Sequence, residues 1–280
     1  MSLNIDSPIV SVEWLNRHLL DDNLIVLDAT IPKVTANNNS LEEKEQIKGA
    51  VFFDIKKEFS NQKSPFPNTV LSALEFEQKA QELGINNNSL IIVYDDLGIY
   101  SSARVWWLFQ LMGFKNIAVL DGGLPEWKSK RFSIESSKNN KKGKGNFKSN
   151  FKPEKLKLTN DVLSSIEDKS ILVIDARSRG RFNATDPEPR KDLKGGRIPN
   201  SINLPFNEVL EDGKIKSKDK LKEIFNRIEV NKKELIFSCG SGITASILAL
   251  AAEISNKQKH SVYDGSWTEW ASTEGLVIEK

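Results

Sequence analysis

The sequence has one cysteine, Cys239, and two histidines, His18 and His260. A lone thiol forms no internal disulfide and no multi-cysteine metal site, so neither a disulfide scaffold nor a structural metal module is expected. Charge of one sign is also lacking: 40 Lys and Arg face 38 Asp and Glu, a formal net charge of +2. That balance gives no general electrostatic reason for nucleic acid or a membrane surface as partner. No apolar run approaches the length of a bilayer span. The first residues, MSLNIDSPIVSVEWL, have no basic start followed by a continuous apolar stretch, which makes the cytoplasm the expected location. At 280 residues the chain exceeds one usual domain, and two domains, each with its own core, are the first expectation.

What the chain does have is an internal repeat. LIVLDAT (24–30) returns as ILVIDAR (171–177), IIVYDDLGIYSSA (91–103) as LIFSCGSGITAS (235–246), and DGGLPEW (121–127) as DGSWTEW (264–270). The offsets barely drift: Asp28 to Asp175 is 147, Asp95 to Cys239 is 144 and Trp127 to Trp270 is 143. Three landmarks in step imply a duplicated domain. Residues 8–135 and 161–280 are assigned to the two copies and 136–160 to a hinge. Residues 138–157 within it carry eight lysines and one acid. They lack a periodic face and regularly interleaved aromatics, so they read as a solvated linker with nothing to bury rather than a nucleic-acid site.

Within each copy, short β-branched runs such as 171–174 and 235–237 alternate with segments of helical period, which predicts an α/β fold with a mostly parallel sheet flanked by helices. Ile243, Ile247, Leu250 and Ile254 line one face of a helix in the second copy. Ala103, Trp107 and Leu111 do so in the first, with Gly113 as its stop. Ligands of such sheets lie beyond the carboxyl ends of the strands. Cys239 stands at such an end.

The stretch Leu235 to Ala245 places Cys239 where a strand stops and a helix begins near Ile243, with Gly240 and Gly242 keeping the turn compact. Successive N–H groups there, with the positive end of the helix, make a pocket that prefers an anion. Thiolate is the form that attacks sulfur, and the same N–H groups suit a bound persulfide. The first copy has Asp95 at the aligned place and no sulfur. Charge follows the thiol: residues 30–50 hold three lysines and three acids, whereas 177–197 hold seven cations and three acids, net +4. Arginine forks clamp planar carboxylates, so a small anionic substrate is expected. Taken singly, Arg177, Arg179 and Arg197 read as ordinary surface ion pairs.

These motifs resemble the tandem rhodanese family, in its mercaptopyruvate-using branch, over nearly the whole chain. The loop Cys-Gly-Ser-Gly-Ile-Thr-Ala (239–245) is similar to the mercaptopyruvate type, whereas thiosulfate-preferring relatives usually carry basic residues where Gly240 and Ser241 stand. Gly180-Arg181-Phe182-Asn183 with Glu188-Pro189-Arg190 resembles the family segment whose two arginines hold the substrate's carboxylate and keto oxygen, a role the resemblance gives to Arg181 and Arg190. Residues 100–107, 121–123 and 50–55 resemble the inactive first domain. In some relatives an Asp and a His join the loop serine in a triad. Here the matching region, 54–68, offers Lys56 and Asn68, and no full relay through Ser241 is expected.

The resemblance implies two tandem rhodanese-like domains, the second reactive through a Cys239 persulfide. Cys239 and Ser241 are the expected catalytic residues, and Arg181, Arg190, Gly240, Ser241, Gly242, Ile243 and Thr244 the expected substrate contacts. No metal and no cofactor is expected. The donor is a small anion, 3-mercaptopyruvate or thiosulfate, and the acceptor a small thiol, a thioredoxin-like protein or cyanide. Two rivals from other classes stand beside this. A cysteine phosphatase would need an arginine six residues after the cysteine, where this chain has Ala245. A non-catalytic sulfur or redox sensor would keep the thiol but need no arginine clamp.

Overall fold

The computed structural model describes residues 5–31, 44–138, 140, 143–228, 234–256 and 259–280. Residues 139, 141 and 142 of the expected hinge, and 32–43 of the first-copy loop whose charges were compared, lie outside them. The chain divides into two compact units. The first comprises Met1–Ser60, Leu71–Lys152 and Asp212–Ile215; the second comprises Asn61–Val70, Pro153–Glu211 and Lys216–Lys280.

In the first unit β1 (Ile9–Val10), β2 (Leu24–Asp28), β4 (Val51–Phe52), β5 (Leu90–Tyr94) and β6 (Ile117–Leu120) form one sheet in the order β1-β6-β5-β2-β4, all neighbours parallel. The central strands LIVLD and LIIVY are buried along their whole length, because helices cover both faces of a parallel sheet. Those helices are α1 (Val12–His18), α2 (Ala73–Glu82), α3 (Ser102–Leu111) and α4 (Gly123–Ser129). Ser72 and Glu75 close a capping box at the start of α2. Gly113, at φ 77°, stops α3 as expected.

The lysine-rich segment does bury something, which corrects the reading of 138–157 as having nothing to bury. Phe147 is fully buried and meets Phe76, Phe109 and Phe114 at centroid distances of 6.0, 5.9 and 5.7 Å. Upstream, β3 (Glu45–Ile47) pairs antiparallel with β7 (Ile134–Ser136). Asp121 accepts the N–H of Ile215 at 2.9 Å, fastening residues 212–215 to this unit.

The second unit repeats the plan with β8 (Leu156–Lys157), β9 (Ile171–Asp175), β10 (Ile202–Asn203), β13 (Glu234–Ser238) and β14 (His260–Tyr263), ordered β10-β9-β13-β14-β8 and parallel throughout; β11 (Leu210–Glu211) belongs to this unit and β12 (Lys214–Ile215) to the first. Strand for strand this is the first sheet again. Its helices are α5 (Thr159–Ser165), α6 (Arg179–Phe182), α7 (Lys218–Arg227), α8 (Ala245–Ile254) and α9 (Ser266–Ser272). The helix read as one-sided, α8, is buried at every residue from Ala245 to Ala252; Ile243 lies in the loop before it. A helix buried on every side over eight residues sits in the core rather than on it. Val173, Ile236, Tyr263, Trp267 and Trp270 pack together beside it as the unit's aromatic core.

Candidate active site

Strand β13 ends at Ser238, and the next residue, Cys239, is 2% exposed. The loop from Cys239 to Thr244 is tied down by the start of α9. Ser266 Oγ accepts the N–H of Cys239 at 3.3 Å and of Gly242 at 3.1 Å, and donates to the carbonyl of Tyr263 at 2.8 Å. Thr268 Oγ1 and its N–H both reach the carbonyl of Gly240, at 2.6 and 3.1 Å. The N–H expected of Gly242 in the anion pocket is therefore turned to Ser266.

A different set of donors is left over in this loop. Among the described residues, the backbone N–H groups of Gly240, Ser241, Ile243, Thr244 and Ala245 have no hydrogen-bond partner in the protein. The first unit shows what such a cradle holds. There Asp95 accepts the N–H of Leu97 at 2.9 Å, of Tyr100 at 2.8 Å and of Ser102 at 2.9 Å. Leu97 stands to Asp95 as Ser241 stands to Cys239, while Ser102 and Ala245 open α3 and α8, with Tyr100 and Ile243 each two residues before. The three donors that close on a carboxylate in one copy are the ones left open beside the sulfur in the other. Buried N–H groups are rarely left unpaired without a purpose.

The arginines come to the same place. Arg181 Nη2 lies 3.2 Å from where a side-chain carbon on Gly240 would stand, so the glycine leaves room for the guanidinium. Arg190 donates through Nη1 to Thr268 Oγ1 at 3.1 Å. Burial lowers the Arg190 pKa below the usual arginine range, the nearby Arg181 charge adds to this, and Cys239 and Glu188 oppose it. Cys239, Arg181, Arg190 and Glu188 thus share one electrostatic neighbourhood.

Arg177 is not the surface ion pair its sequence context suggested. Its side chain is 0% exposed, held by Asp175 at 2.6 Å and Glu188 at 2.7 Å and stacked 4.2 Å from the Trp267 ring centroid. Burial works against its charge, but the two carboxylates outweigh it and raise the pKa. Arg177 also donates to the carbonyl of Gly196 at 2.8 Å, pinning the loop that carries Arg190. Arg179 and Arg197 do sit in exposed or half-exposed pairs, with Glu208 and Glu279.

Asn68 lies in the 61–70 segment of the second unit, and its Nδ2 donates to Ser241 Oγ at 2.9 Å. Lys56 belongs to the first unit, where its N–H bonds the Asp54 carboxylate at 3.1 Å. His18 pairs with Asp21, and His260 lies buried in β14. Sequence reasoning missed Ser266 and Thr268. The signal was present, since Gly123 and Pro125 of the first repeat become Ser266 and Thr268 in the second. Among the described residues there is no group of three or more His, Cys, Asp or Glu arranged to hold a metal, and no helix long and apolar enough to cross a membrane.

The Rhodanese-like domain model matches residues 11–130 and 158–273. The chain is 36% identical to mouse 3-mercaptopyruvate sulfurtransferase over 284 residues, covering 97% of this chain and 95% of that one. It is 34% identical to the mitochondrial thiosulfate/3-mercaptopyruvate sulfurtransferase 1 of Arabidopsis thaliana over 302 residues, 99% of this chain and 79% of that one. The crystal structure of SseA from Escherichia coli, a 3-mercaptopyruvate sulfotransferase, superposes with a TM-score of 0.83 at 32% identity over 93% of this chain and 99% of that chain. A duplicated parallel α/β unit with one cysteine-bearing loop, matched twice by one domain model, places the chain in the tandem rhodanese family, among its sulfurtransferases.

Proposed function

We propose that this chain moves the sulfur of 3-mercaptopyruvate to an acceptor through a persulfide on Cys239. The observation that carries the reading is the pairing of a buried thiol with backbone donors that an anion fills in the sister loop. Arg181 and Arg190 hold the substrate's carboxylate and keto oxygen, fixing its sulfur in line with the Cys239 thiolate. The new S–S bond forms as the C–S bond breaks, and its electron pair leaves as the enolate of pyruvate. The proton of the substrate thiol ends on the pyruvate methyl group, so persulfide anion and pyruvate carry the charge of thiolate and substrate. The N–H groups of Ser241, Ile243 and Ala245 stabilise the outer sulfur as the Asp95 carboxylate is stabilised in the first unit. A small thiol, a thioredoxin-like protein or cyanide then removes that sulfur. Thiols kept reduced in the cytoplasm suit the acceptor half, and the proposal places the enzyme there.

Thiosulfate is the second donor considered, since the Arabidopsis relative's name includes it. Gly240 and Ser241 bring no positive charge to the loop for an inorganic dianion. Steady-state kinetics with both donors test the reading. We expect kcat/KM for mercaptopyruvate to exceed that for thiosulfate by about tenfold or more, an advantage of roughly 1.4 kcal/mol, and Cys239→Ser to abolish both. Turnover by the serine variant, or a preference for thiosulfate, would overturn it.

A further inference from the structure

Among the described residues, no basic side chain hydrogen-bonds the Ser241 hydroxyl. Asn68 Nδ2 lies 2.9 Å from Ser241 Oγ and 3.4 Å from the Ser241 carbonyl oxygen. The second contact fixes the amide's orientation, because an amide oxygen turned that way would face a carbonyl oxygen; the group aimed at Ser241 is the NH2. A neutral amide takes no proton, and here it donates. With its oxygen already accepting from Asn68, the hydroxyl has its hydrogen left to give, and among the described residues that hydrogen has no acceptor.

The geometry of the segment supports a fixed rather than incidental contact. Asn68 adopts φ 62°, a left-handed conformation that asparagine tolerates better than most residues. Its flanks are fastened: Val70 N–H donates to Asp264 at 2.8 Å, and the carbonyl of Thr69 accepts from Asn61 at 2.9 Å. Ser241 is 7% exposed and sits two residues beyond the thiol.

We infer that Asn68 is a positioning residue that orients the Ser241 hydroxyl as a hydrogen-bond donor to the enolate oxygen of the departing pyruvate. This rests on the mercaptopyruvate reading above. The hydroxyl stabilises the charge that develops when the C–S bond breaks and is not itself consumed; the proton reaching carbon is the one released from the substrate's sulfur. A donor whose leaving group is not an enolate gains nothing from this device. Sodium tetrasulfide is such a donor: the thiolate takes one sulfur, the S–S bond breaks, and trisulfide dianion departs.

The test is the single-turnover rate of sulfur loading on Cys239 in the full chain, read by mass, with mercaptopyruvate and with tetrasulfide. Asn68→Ala slows mercaptopyruvate loading about tenfold and leaves tetrasulfide loading within about twofold, a selective loss of transition-state stabilisation. Asn68→Asp, isosteric and a second route if the alanine variant folds poorly, turns the serine hydrogen toward itself and slows mercaptopyruvate loading further. Asn68→Ala combined with Ser241→Ala is no slower than Ser241→Ala alone, because one residue acts through the other. Wild-type loading by both Asn68 variants, equal slowing with both donors, or additive effects would overturn the inference. Loading that persists in Cys239→Ser would instead strike the underlying reading.

Discussion

Arg181 is held by Glu188: its Nη2 lies 2.6 Å from Oε2, while the other carboxylate oxygen meets Nη1 of the buried Arg177 at 2.7 Å. One carboxylate thus orients the arginine beside Gly240 and, with Asp175, neutralises the arginine in the core. Glu188 is itself 8% exposed. Breaking such a pair leaves an uncompensated buried charge, which outweighs the modest gain of making it.

Glu188→Ala therefore costs about 3 kcal/mol of stability and also raises KM for mercaptopyruvate by loosening Arg181. Denaturant titration and kinetics on the folded fraction read the two effects separately. A variant with unchanged stability would mean that Asp175 alone suffices for Arg177.

Arg190 differs in being tied to the loop through Thr268. Even with its pKa lowered by burial and by Arg181, it is a guanidinium whose fork a lysine cannot copy. Arg190→Lys raises KM for mercaptopyruvate about tenfold with a smaller effect on kcat, the pattern of lost uniform binding. Arg179→Lys, on an exposed residue paired with Glu208, leaves both constants unchanged.

Ser266 holds two loop N–H groups from a backbone at φ 52°, the value at which the first repeat has Gly123. Ser266→Ala keeps the strained backbone and removes the acceptor that the N–H groups of Cys239 and Gly242 share, at roughly 1–3 kcal/mol. Ser266→Gly loses the same acceptor but relieves the backbone and is the more stable of the two. Equal melting temperatures for the two variants would show that the backbone carries no strain.

In the first unit, Glu135 has its pKa lowered to about 2, chiefly by Lys138 and then by Asn140 and the N–H of Gly49, against an opposing effect of burial. Its folded-state value lies below the unfolded one, so its stabilisation is complete above about pH 4.5 and is lost as pH falls towards 2. Glu135→Gln flattens that acid limb in stability measured against pH while leaving the neutral plateau lower. A variant with an unaltered acid limb would remove Glu135 from the linkage.

The duplication, the parallel α/β plan and the place of Cys239 were legible because they are local: β-branched runs, glycine turns and a repeat in register report on the residues that carry them. Arg177 was not, since nothing in a run of arginines says which one lies over Trp267 between two carboxylates. Phe147 was hidden by composition, one aromatic among lysines whose burial depends on Phe76 and Phe109, far away in sequence. Gly242 was read as part of the anion cradle because glycine permits the turn, but Ser266 decides where its N–H points. Asn68 was visible as a departure from the serine–histidine–aspartate pattern. That it donates to Ser241, rather than merely filling the place, depends on the fold bringing together residues 173 positions apart.

A persulfide on Cys239 is read most directly by mass spectrometry of the intact protein after brief exposure to mercaptopyruvate. One added sulfur is expected, mapped to the peptide containing Cys239, released on adding cyanide and absent from Cys239→Ser. An unmodified thiol in folded protein that nonetheless converts mercaptopyruvate to pyruvate would contradict it.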